Sequence, residues 1–263
     1  MNQDYEVILD ELAVTHPLVA GALKQAHTNR VNDLSALTSG ARLRGVEALL
    51  TWLSSMTDRF ESSERLGPLT FLIKRVIADA QSALEATLAG YQGVAADAMR
   101  DVMEIELLLL DFATNPSHDQ QWLTADAETR WQKFRPAKLR GRLKAAGVGR
   151  YAGEESDADY KAHSEAIHVS PRSLPFGAKG LTTDQWTRDA GFWELLEHGR
   201  RMIFAVHRLE SSVAGADLQD PDTDPDLDAV RDAWERTQEM QSMYLALLQA
   251  TFDGQKEPSD SEE

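Results

Sequence analysis

The stretch from Tyr91 to Phe112, YQGVAADAMRDVMEIELLLLDF, limits what this chain can become more than any other. Val94, Ala98, Val102, Ile105, Leu109 and Phe112 recur every three or four residues, which is one helical stripe. Met99, Met103, Leu107, Leu108 and Leu110 widen the apolar surface almost to a full circle. A helix apolar on nearly every side belongs in a core, with other helices around it. Five acidic residues and one arginine inside the stretch rule out a membrane span. Arg100 and Glu104 stand one turn apart and share a face, so they can pair. If that face is buried, either charge without its partner costs on the order of 3–5 kcal/mol. They therefore form either a structural ion pair or one wall of a polar pocket.

The rest of the chain repeats the helical period. Residues 3–14 predict a short helix, and Pro17 suits the first turn of a second that Gly40 ends. Leu43, Val46, Leu49, Leu50, Leu53, Met56 and Phe60 give a third, closed by Gly67-Pro68. A fourth runs from about Leu69 to Ala89 with Gly90 as its cap, and the central helix follows and stops at Asn115-Pro116. Pro136 and Gly141 leave the next segment a broken helix at best. A capping box at 156–159 opens a short polar helix, DYKAHSEAIHV. Asp184 to about Val213 reads as one long helix with Trp186, Ala190, Trp193, Leu196, Ile203, Val206 and Leu209 inward. A last helix uses Leu227, Val230, Trp234, Tyr244, Leu247 and Leu248. No segment alternates like a strand. The expectation is an all-α bundle of seven to nine helices in one domain, residues 1–252, with an acidic, disordered tail at 253–263.

Composition excludes several kinds of chemistry. With no cysteine there is no disulfide, thiolate metal site or cysteine nucleophile. The N-terminus has no basic region followed by an apolar run, so a cytoplasmic location is the default expectation. A net charge of −16 opposes broad binding to nucleic acid, because the long-range field repels phosphate. That charge is uneven. From Thr129 to Gly153 there is no acidic residue, while Arg130, Lys133, Arg135, Lys138, Arg140, Arg142, Lys144 and Arg150 are basic. Trp131, Phe134 and Tyr151 are interleaved with them, a pattern suited to RNA or to docking against an acidic surface, the protein's own or a partner's. Apolar residues on amphipathic helices also leave room for a homo-oligomer.

The short polar helix carries Tyr160, Ser164 and His168 on one face, with His163 beside them. A phenol, a hydroxyl and two imidazoles can bind phosphate, move a proton near neutral pH, or form a buried network that fixes packing. The layout Gly93, Ala96, Arg100, Glu104, then Tyr160, Ser164, His168, Ser170 resembles a family of bacterial helical proteins known only as a domain of unknown function. The resemblance covers roughly residues 70–175; Val169 stands where that family has proline after the histidine. It implies an all-helical fold and occurrence near defence or toxin–antitoxin genes, with no established activity. On that basis the chain is expected to be a binding protein, with Arg100, Glu104, Tyr160, His163, Ser164 and His168 as its binding cluster.

A second spacing offers an enzyme instead. Arg201 and His207, with five residues between, or Arg200 and His207, with six, resemble the motif of RNase toxins of the helical nucleotide-binding (HEPN) class. That resemblance implies a metal-independent RNase, the histidine acting as acid/base and the arginine stabilising developing charge. Met202 departs from the polar residue usual after the arginine. Neither metal nor cofactor is expected. Glu165 and His168 give one Glu-x-x-His pair where di-iron bundles use two, and the 220–228 loop lacks the glycine and glutamate of a calcium loop.

Overall fold

The computed structural model describes residues 2–37, 40–148, 185–215, 224 and 227–236. Over these residues the chain is an all-α bundle without a strand. The helices are α1 (Asn2–Thr15), α2 (Pro17–Leu37), α3 (Ala41–Ser62), α4 (Thr70–Ala89), α5 (Gln92–Thr114), α6 (His118–Thr124), α7 (Ala127–Phe134), α8 (Pro136–Ala145), α9 (Gln185–Ala214) and α10 (Asp228–Glu235). A 3-10 turn, Gly67–Leu69, joins α3 to α4. Among the described residues alone there are ten helices, against the seven to nine expected for the chain. The surplus arises after α5, where α6 was not foreseen and Pro136 divides the basic segment into two helices rather than one broken one.

The boundaries follow local chemistry. Gly90 adopts φ 87°, the left-handed conformation that ends α4, and the Tyr91 N–H donates back to the Ala86 carbonyl at 2.8 Å. α5 stops where Asn115 precedes Pro116, since the proline ring disfavours helical backbone before it. Pro136 opens α8, where its missing N–H costs nothing.

α5 lies at the centre, packed most extensively against α9 and α4. One contiguous apolar core runs from Leu37 to Ala233 and includes Phe60, Phe112, Leu109 and Leu196, all fully buried. The inward residues expected on α9 are buried from Ala190 to Leu209. Two glycines permit close crossings. A Cβ on Gly45 would stand 2.3 Å from the Ala233 Cβ, so α10 lies directly on the α3 backbone; one on Gly199 would stand 2.3 Å from Leu49 Cδ2. α10 is fixed to α9 by the Trp234 indole, which donates to Glu197 at 2.7 Å and lies 3.9 Å beneath the Arg200 guanidinium.

Candidate functional site

The polar side chains of α5 divide by depth. Its C-terminal half meets the apolar expectation and adds two charges to it: Glu106 is 1% exposed and Asp111 is 0%. Glu106 meets Arg201 of α9 at 3.0 Å, and Arg201 is itself 6% exposed. Arg201 Nη1 also lies 3.1 Å from His198 Nδ1. A guanidinium can only donate, so that ring nitrogen accepts, and Nε2 carries the hydrogen offered to Glu194 Oε2 at 3.0 Å. Glu194, His198 and Arg201 thus form one stripe of α9 facing α5, at spacings of four and three. The arrangement is a buried polar chain linking the two central helices, and Arg201 is held within it. His207 lies six residues on, which on a helix is about 120° around the axis, and is half-buried. Arg201 and His207 therefore do not share a face.

Towards its N-terminus α5 departs from expectation. Val94 is 58% exposed, and the Arg100–Glu104 pair, at 3.3 Å, has side chains 23% and 35% exposed. The pair borders an open groove of about 350 Å³ between α4 and α5, also lined by Arg75, Asp79, Asp97 and Asp101. The charges that had to be satisfied in the core are Glu106 and Asp111 instead. Desolvation, reinforced by a hydrogen bond to and repulsion from Asp101, pushes the Asp79 carboxyl up to about 7, with Arg75 opposing.

Above pH 3.8 the unfolded chain releases the Asp79 proton, while the fold keeps it until about 7. Stability is therefore lost as pH rises across that interval and stays lost above it. Comparing thermal midpoints of wild type and Asp79→Asn at pH 5 and pH 8 checks this. The variant is expected to gain on wild type at pH 8, with a much smaller difference at pH 5. Equal differences at both would contradict it. Asp97, Asp101 and Glu104 face the same groove, so only the difference between variants isolates Asp79.

The basic segment forms a helical hairpin, α7–α8, built out from the end of α5. Asp126 caps α7, its carboxylate accepting the Thr129 N–H at 2.7 Å. Phe134, Leu139, Leu143 and Val148 turn inward and are buried. Arg142 anchors the hairpin. Its Nε and Nη2 donate to the two oxygens of Asp111 at 2.7 and 2.9 Å, and Nη1 donates to the Lys133 carbonyl at 2.7 Å. His118 Nδ1 completes the set at 2.8 Å from Asp111, and the Phe134 ring lies 5.5 Å from the Arg142 guanidinium carbon. Arg142 is thus a structural anchor rather than the contact residue expected from sequence, and Arg140 is half-buried.

Lys133, Arg135, Lys138 and Lys144 remain exposed, together with Arg130. Among them Trp131 is 62% exposed, with the Arg135 guanidinium 5.8 Å from its ring centre. Gly141 falls midway between Lys138 and Lys144, and the space over it is open. No carboxylate occurs from Arg130 to Val148. The result is a helical hairpin that exposes five cations and one indole.

Four residues of the sequence-derived binding cluster, Tyr160, His163, Ser164 and His168, lie outside the described residues, as do Arg150, Tyr151 and the 253–263 tail. Among the described residues no group of three or more histidine and carboxylate side chains could hold a metal ion, and no helix is long and apolar enough to cross a membrane. No protein-family model, curated protein or solved structure matches the chain.

Proposed function

We propose that the protein is a binding protein that takes a short single-stranded RNA segment on the α7–α8 hairpin. The observation that carries this reading is Trp131, 62% exposed among five exposed cations, with Glu128 the one carboxylate on the two helices of the hairpin. An exposed indole flanked by cations offers a surface on which a nucleobase can stack, and such stacking is sequence-tolerant. Lys133, Lys138 and Lys144 would receive phosphates, and the Arg135 guanidinium would extend the stacking surface beside Trp131. The remaining surface is acidic, so the strand is confined to the hairpin instead of wrapping the molecule.

Magnitudes follow from this geometry. Three to four phosphate contacts give a salt dependence of about −2 to −3 in log K against log salt, at ~0.7 per contact on a single strand. Loss of one stacked base costs ~1–3 kcal/mol, so Trp131→Ala weakens binding by about 5- to 150-fold. Fluorescence anisotropy of a labelled mixed-sequence oligoribonucleotide, for wild type, Trp131→Ala and Lys138→Glu/Lys144→Glu, checks both. Equal affinity in all three would sink the reading. Binding of a polyglutamate peptide with no binding of RNA would replace it with an acidic protein partner on the same face.

A further inference from the structure

Of the thirteen large apolar side chains exposed among the described residues, eight belong to α1 and α2. They lie far along the chain from the α7–α8 hairpin and take no part in the function proposed above. α1 packs chiefly on α2, and among its described side chains only Leu9 is buried. Meanwhile Val7 and Ile8 are 54% and 58% exposed, and Val14 reaches 83%. Leu18, just past the corner at His16-Pro17, is 88% exposed, and Val19 is 51%. A fourteen-residue helix with one buried side chain has little reason to hold its conformation alone, since short isolated helices are marginal in water.

From these observations we infer that the outer face of α1, with the α1–α2 corner, pairs with the same face of a second copy across a two-fold axis. Val7 and Val14 are two turns apart and lie on one stripe, with Glu11 between them. An antiparallel pairing sets Val7 of each copy against Val14 of the other, so the stripe is self-complementary, as an isologous interface requires. Area supports a second copy as the occupant. Val7, Val14 and Leu18, the residues of the stripe and the corner, expose on the order of 350 Å² of apolar surface per copy, about two thirds of the ~65% apolar share of ~800 Å² per partner in a standard homodimer, which suits a weak pair.

Charge supports it too. The net charge of −16 would oppose self-association through most surfaces, but Asp10 and Glu6 of α1 each have a partner on α2. Asp10 meets Lys24, Glu6 lies 3.8 Å from His27, and Arg30 meets Glu85 of α4. Glu11 stands exposed on the stripe and falls near the two-fold axis in the antiparallel arrangement. Two facing carboxylates there weaken the pair and fix its register, the way a single polar seam position does in paired helices. The dimer is therefore expected to be reversible, forming as concentration rises.

Sedimentation velocity on the full chain from the low micromolar to the hundreds of micromolar tests this, with thermal midpoints recorded alongside. Wild type is expected to pass from monomer to dimer. Val14→Glu/Leu18→Glu, at two highly exposed positions, stays monomeric at an unchanged low-concentration midpoint. Glu11→Leu shifts dimerisation to at least tenfold lower concentration. A dimer untouched by the double variant, or a monomer for both wild type and Glu11→Leu throughout, would overturn the inference. So would a monomeric wild type that floats with phosphatidylcholine vesicles, which would put a bilayer on that face.

Discussion

Glu106→Ala lowers the unfolding free energy by about 3–5 kcal/mol, the cost of leaving the buried Arg201 cation without its counter-charge. In a chain of 263 residues that is a fall in thermal midpoint on the order of 10 °C. Arg201→Ala has a similar effect, because Glu106 is 1% exposed and cannot reach water. The double replacement Glu106→Leu/Arg201→Met recovers most of the loss, since apolar side chains of similar volume avoid both desolvation terms. Urea unfolding of the four proteins measures this directly. Glu194 and His198 belong to the same chain of contacts, so the coupling extends beyond one pair. A loss below about 1 kcal/mol for either single variant would mean that water reaches this interface.

The second large effect concerns the anchor of the basic hairpin. Arg142→Ala removes two charge-assisted hydrogen bonds from Asp111, which keeps His118 but remains fully buried. The expected cost is about 3 kcal/mol, with faster amide exchange across 127–145 than elsewhere. RNA affinity falls with it, although the Arg142 guanidinium is engaged by Asp111, because the hairpin loses the contact that holds it to α5. Lys144→Ala is the contrast: exposed and outside the anchor, it changes stability by no more than about 0.5 kcal/mol while reducing affinity. Equal stability of Arg142→Ala and Lys144→Ala would contradict the anchor.

Much of this fold is legible in the sequence, for local reasons. Gly90, Pro17, Pro136 and Asn115-Pro116 punctuate helices through their own backbone chemistry, and the inward residues of α3 and α9 follow from a period of 3.6. What escapes is pairing at a distance. Glu106 and Asp111 sit in the run ELLLLDF, where a charge among leucines already announces that it must be matched. Nothing local says that the partners are Arg201, 95 residues on, and Arg142, 31 residues on. Arg100 and Glu104 attract notice because their spacing is regular, yet regular spacing on one helix needs no burial, and they line an open groove. Arg201 has the spacing of a catalytic motif and the environment of a core ion pair. For the hairpin, the charge run and its aromatics are visible in sequence; that Arg142 turns inward while Trp131 turns outward depends on how Leu139 and Leu143 seat α8 on α5.

The most direct measurement of the binding reading is where RNA touches the protein. Irradiating a complex with a 4-thiouridine oligoribonucleotide and sequencing the cross-linked peptides gives that position without a variant. Adducts are expected within 127–145, centred on Trp131. Adducts concentrated on α9 around His207, with that hairpin clear, would contradict it and return the nuclease spacing to consideration.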